Sequence, residues 1–147
     1  FKLTGGSAFL TVILCNFMVE YLNEKRASVI TPGIIDSFLK DRIFCPGSRI
    51  SEADFEPQIS DRGDESLRDE NKKLLIETAR RQNSEGWAKI DDLCPEGMTK
   101  ERIRQLLERL KERDVILIKE NTYCSIVVGM LAQWLLSQYG KEGKVNL

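Results

Sequence analysis

Few side chains in this sequence are able to do chemistry, and their spacing narrows the choice. None of the 147 residues is a histidine. A Ser-His-Asp or Cys-His centre therefore lacks its base, and a histidine-containing zinc site lacks a ligand. Cys15, Cys45, Cys94 and Cys124 form no C-x-x-C pair, so an all-cysteine zinc site lacks its spacing and no metal site is expected. Four cysteines allow two disulfides by count. With no sign of secretion, they are expected reduced and mostly buried, in a cytoplasmic protein. Two carboxylate pairs, Asp91-Asp92 and Asp64-Glu65, stand in polar sequence, where adjacent acids are solvated rather than tuned for proton transfer. No GxxxxGK[ST] phosphate loop occurs. No catalytic residue is expected, and the chain does not read as an enzyme complete in itself.

Cations offer a second kind of chemistry. Lys100, Arg102, Arg104 and Arg109 fall in a predicted helix over Thr99–Arg113, with Lys111 and Arg113 close by. Such side chains reach phosphates and base edges when a helix enters a major groove. Glu101, Glu108 and Glu112 share the helix, and mixed signs along one helix also describe a solvated, ion-paired surface. Both readings stay open: a DNA-binding regulator, or a protein-facing domain. The chain's net charge of −1 gives nucleic acid no strong nonspecific attraction. Trp87 and Trp134 are expected in the core, because basic and aromatic residues do not interleave along the sequence as a base-stacking platform requires.

The elements that must position these residues are legible from period and punctuation. Thr4-Gly5-Gly6-Ser7 reads as a turn ending in a helix cap at Ser7. Two glycines before a helix are usually only a turn. The functional alternative is a helix start whose N–H groups face a nucleotide held by another domain. The helix runs to about Lys25 and is apolar around most of its circumference: Phe9, Leu10, Val12, Ile13, Leu14, Phe17, Met18, Tyr21 and Leu22. Such a helix must be covered on several sides. Residues 1–50 cannot easily do that alone, and the chain begins at Phe1 without an initiator Met. Further chain upstream is therefore expected, with burial against the winged helix or a second copy of the chain as the alternative, or, in an adaptor reading, docking of a partner protein. The apolar run of about 15 residues is short of the roughly 20 that span a bilayer.

Thr31-Pro32 opens a second helix, ended by Cys45-Pro46-Gly47. Residues 51–66 read as an acidic, irregular connector anchored by Phe55 and Ile59. A third helix is expected over Leu67–Gln82, with Leu74, Leu75, Thr78 and Ala79 facing inward. Gly86–Ile90 is a short extended piece, and Thr99 caps the helix carrying Ile103, Leu106, Leu107 and Leu110 at i, i+3, i+4 and i+7. Val115–Ile118 and Tyr123–Val127 form a hairpin around Glu120-Asn121-Thr122. A last helix spans about Val128 to Tyr139.

Charge follows these divisions. Residues 1–50 carry 6 basic and 4 acidic side chains, residues 51–70 carry 2 and 8, and residues 71–147 carry 14 and 11. The predicted organisation is a helical lobe (1–50), an acidic linker (51–66) and a winged helix-turn-helix domain (67–147). The fold class is mainly α with a small β-hairpin.

Thr4-Gly5-Gly6-Ser7-Ala8-Phe9-Leu10, a long apolar helix, and then Val29-Ile30-Thr31-Pro32 resemble the lid region of STAND/AAA+-type P-loop ATPases. There a Thr-Gly-Gly-x-Pro-type motif begins the lid helix beside the nucleotide, and a winged helix follows. Ala8 stands where that motif has its proline. The tail Ile126–Leu135, a strand running into a helix with Trp134-Leu135, is similar to the family's closing segment. The resemblance implies that Gly5 and Gly6 lie near a nucleotide. It also implies that this chain holds no cofactor itself, and that ATP and Mg²⁺ belong to a nucleotide-binding domain upstream of Phe1. The role implied is regulatory, coupling nucleotide state to domain packing.

Overall fold

A computed structural model of the chain describes residues 2–61 and 63–140. Ser7 ends the N-terminal turn, and its hydroxyl accepts from the Leu10 N–H at 3.3 Å, starting α1 (Ala8–Lys25). Thr31 accepts from the Ile34 N–H and Pro32 occupies the first helical position of α2 (Pro32–Phe38). The expected helix then changes hand-hold rather than stopping. Leu39–Ile43 forms a π-helical turn, closed by the Phe44 N–H on the Leu39 carbonyl at 2.7 Å.

Residues 52–59 differ from the irregular connector expected. Glu52–Phe55 is a 3₁₀ turn and Glu56–Ile59 is a short helix, α3. Pro57 does not break this piece because it sits in the first turn, where its missing N–H has no partner to lose. Phe55 and Ile59 are fully buried. Two of the segment's acids are ion-paired: Glu52 and Glu56 both bind Arg68, and Glu52 also binds Lys72. Arg68 and Lys72 lie on α4 (Glu65–Arg81), whose start is capped by Asp64 rather than falling at Leu67.

β1 (Ala88–Lys89), a 3₁₀ turn (Ile90–Asp92), α5 (Lys100–Glu112), β2 (Ile116–Lys119), β3 (Tyr123–Ile126) and α6 (Gly129–Tyr139) complete the elements of the described residues. Thr99 caps α5 as its hydroxyl predicts. The extended piece before the 3₁₀ turn pairs with β3, so the hairpin grows into a three-stranded antiparallel sheet in the order β1-β3-β2. Glu120 and Asn121 both adopt positive φ in a turn closed by the Thr122 N–H on the Lys119 carbonyl at 3.1 Å, within a three-residue loop between the paired Lys119 and Tyr123.

One buried cluster joins these parts, from Leu10, Tyr21 and Phe38 through Phe55 and Ile59 to Leu74, Leu106 and Trp134. Trp134 is its rivet. Its ring packs on Phe55 at 5.3 Å between centroids, and its indole N–H donates to the Ile50 carbonyl at 3.1 Å. Among the described residues no helix is long and apolar enough to cross a membrane.

Candidate functional site

The Thr4–Ser7 turn lies against the start of α6. That helix has no side-chain N-cap. Its first N–H groups are satisfied by the N-terminal turn instead: Gly129 donates to the Lys2 carbonyl at 2.9 Å, and Met130 to the Leu3 carbonyl at 2.8 Å. Unpaired N–H groups at a helix start must find such partners. The approach is close enough to require glycine. A Cβ on Gly129 would stand 2.6 Å from the Lys2 oxygen. Gly5 has φ +58° and backs onto Val128, where a Cβ would meet Cγ2 at 2.9 Å. Packing thus accounts for Gly5, while Gly6, also at positive φ, is exposed. The two glycines expected near a nucleotide therefore have different surroundings.

α1 runs from this turn with much of its apolar surface uncovered. Phe9 is 58% exposed, and Val12 and Val19 nearly as much; Val29 and Ile30 are exposed beyond its end. An all-apolar groove of about 320 Å³ lies between α1 and α2, floored by Leu14, Met18, Leu22, Ile35, Phe38 and Leu39. The helix is fixed elsewhere by Tyr21, which is buried against Phe38, and by ion pairs Glu20–Arg49 and Glu24–Arg42.

The cations of α5 are largely committed to the body of the protein. Arg102 makes a two-pronged bond to Glu70 at 2.8 and 2.9 Å, and Arg109 grips Asp61. The Arg102 guanidinium holds the Glu70 carboxyl below its ordinary value. Arg113 donates to the carbonyls of Pro57 and Ser60. Arg104 faces Asp91 at 3.5 Å, and Lys111 lies 4.0 Å from Glu108. Lys100 is exposed and, among the described residues, has no ion pair. The α5 residues considered for DNA contact are thus brought onto one helix, but Arg102 and Arg109 point their charge at carboxylates.

The four cysteines are free. Only Cys124 is buried; Cys15 and Cys94 are exposed and Cys45 half-buried, so the expectation of mostly buried thiols is corrected. Burial pushes the Cys124 thiol up to about 11, which leaves it un-ionised and inert at neutral pH. Among the described residues no cluster of three or more acids or cysteines is arranged to hold a metal ion. The carboxylate pairs are split by use: Asp64 caps α4 and Asp91 faces Arg104.

Sequence reasoning missed one grouping. Lys89, Tyr123 and Lys119 belong to three different strands and fall side by side on the open face of the sheet. Their only signal in the sequence is the outward phase of each strand. No known protein family, curated protein or solved structure matches the chain.

Proposed function

We propose that this chain is the non-catalytic lid and winged-helix part of a STAND/AAA+-type P-loop ATPase, coupling the nucleotide state of an upstream domain to the packing of the winged helix. The order α4, β1, 3₁₀ turn, α5, β2, β3, with β3 central in the sheet, supports the winged-helix assignment. The observation that carries the coupling is the backbone bonding of residues 2 and 3 to the first turn of α6. The turn that borders nucleotide in the resembled family is thereby tied to the last helix of the winged helix. A shift at one end moves a helix start at the other, which is the form of a ligand-biased packing switch.

The residues fit a place beside a nucleotide in one respect: Gly6 is exposed, has no side chain and adopts positive φ at the mouth of α1. ATP and Mg²⁺ are held by the upstream domain, and this chain supplies contact through Gly6 with Gly5 as its packed support. The uncovered apolar face of α1 gives that domain a surface to cover. The engagement of Arg102 and Arg109 by Glu70 and Asp61 weighs against a DNA-reading role for α5.

Calorimetry with ATP and Mg²⁺ tests the reading. The 147-residue chain is expected to bind no ATP, and the natural protein with its upstream sequence is expected to bind it. Tight binding by the 147 residues alone, or an upstream sequence without a GxxxxGK[ST] loop, overturns it.

A further inference from the structure

The three-stranded sheet buries one face and leaves the other open. Ala88, Cys124 and Ile118 form one cross-strand row pointing inward, and Ala88 and Cys124 are fully buried. The neighbouring row, in register, is Lys89–Tyr123–Lys119 and points outward. Beside it lie Ser125 and Leu117, paired across β3 and β2, with Leu117 about half exposed. Trp87, expected in the core, is instead half-buried and borders the same face, since the Lys119 ammonium sits 5.8 Å from its ring centroid. Two lysines, a tyrosine, a tryptophan and a leucine thus share one surface, and no carboxylate falls in either row. Among the described residues neither Lys89 nor Lys119 has an ion pair, whereas Arg102, Arg104 and Arg109 of α5 each face an acid.

We propose that this open sheet face binds single-stranded nucleic acid. Cations flanking a flat aromatic ring match a chain of phosphates with bases between them. Exposed rings stack on bases without regard to sequence, and lysines track the backbone. A duplex hides its base faces inside the stack, so the aromatics select the single strand. Tyr123 is the central stacking residue, Trp87 the second, and Lys89 and Lys119 the phosphate contacts. This surface is separate from the Gly5-Gly6 turn, and its role does not depend on the lid reading.

Fluorescence anisotropy with a labelled 12-nucleotide oligo-dT or oligo-rU, on the 147-residue chain, tests the proposal. Binding is expected at low salt, with quenching of tryptophan emission. Trp134 is buried, so the quench reports Trp87. Tyr123→Ala is expected to weaken binding about tenfold, in line with the loss of one stacked base. Replacing both lysines (Lys89→Gln with Lys119→Gln) is expected to flatten the slope of log K against log salt by about 1.4, the release of two phosphate contacts on a single strand. Unchanged melting temperatures of these surface variants show that the loss is not unfolding. Four results overturn the proposal: no binding at low salt, stronger binding of a duplex of equal length, displacement by a polyglutamate peptide at equal charge concentration, or loss of binding on Lys100→Gln with Arg104→Gln while the sheet variants bind normally.

Discussion

The amide of Gly129 donates to the carbonyl oxygen of Lys2 at 2.9 Å, joining the first described residue of the chain to the first residue of α6. Together with the Met130 bond to Leu3, it supplies the cap that α6 lacks in its own sequence. Three glycine-dependent features meet there: the positive φ of Gly5, the closeness of Gly5 to Val128, and the closeness of Gly129 to Lys2.

Substitution separates these effects. Gly97 has φ +77° with nothing within 4 Å of a built Cβ, so Gly97→Ala carries the backbone penalty alone, about 1–2 kcal/mol. Gly5→Ala adds a 2.9 Å contact with Val128, an overpacking cost of about 1–3 kcal/mol. Gly129→Ala meets a backbone oxygen, which has less room to yield. Urea unfolding is expected to rank Gly5→Ala as more destabilising than Gly97→Ala, and to show a loss for Gly129→Ala despite alanine's better helix propensity. Equal losses at Gly5 and Gly97 would mean that the turn does not press on Val128.

The segment at 52–59 is tested through Phe55. Its ring is fully buried against Trp134, so Phe55→Ala is expected to destabilise the protein by about 3–5 kcal/mol. Phe9, 58% exposed on α1, is expected to tolerate alanine within about 0.5 kcal/mol in the isolated chain. A denaturant melt of each variant gives the comparison. A Phe55→Ala protein as stable as the parent would return this segment to the status of a tether.

Acid is expected to weaken the fold through three carboxylates. Hydrogen bonds from Arg68 lower Glu56, and those from Arg102 lower Glu70. Burial raises Glu52, but hydrogen bonds from Lys72 and Arg68 outweigh it and leave Glu52 lowered as well. A depressed folded-state value adds stability that is fully present above the ordinary value of 4.5. That stability is lost as pH falls below 4.5 toward the folded-state values. Urea midpoints measured from pH 7 to pH 3 should hold steady at first and then fall below about pH 4.5. Glu56→Gln with Glu70→Gln should be less stable at pH 7 and lose less on acidification. An undiminished acid loss in that variant would place the sensitivity elsewhere.

What the sequence made legible was local. Ser7, Thr31 and Thr99 announce their helices because a cap needs only the residues that follow it. Ile103, Leu106, Leu107 and Leu110 are all buried, as are Leu74, Leu75, Thr78 and Ala79, because a 3.6-residue period fixes a face without knowledge of its partner. The misreadings come from distance. Residues 52–56 read as an acidic, irregular connector until Arg68 and Lys72 of α4 are seen paired with Glu52 and Glu56. Ala88–Lys89 lies inside the short extended piece expected over Gly86–Ile90, but its pairing with β3, 34 residues on, has no local signal. The Lys89–Tyr123–Lys119 row exists only in the register of three strands, so no scan for interleaved basic and aromatic residues along the chain finds it. The packing of Gly5 on Val128 joins residues 123 positions apart, and no local pattern announces it.

The central claim is that nucleotide state reaches the winged helix through the bonded contact between residues 2–3 and α6. Hydrogen–deuterium exchange of the natural protein, with and without ATP and Mg²⁺, reads that contact directly at the Gly129 and Met130 amides. The account predicts that nucleotide changes the protection of these two amides together with α1, while the core of α4 around Leu74 and Leu75 stays unchanged. Nucleotide binding that leaves Gly129, Met130 and α1 exchanging as before would contradict it.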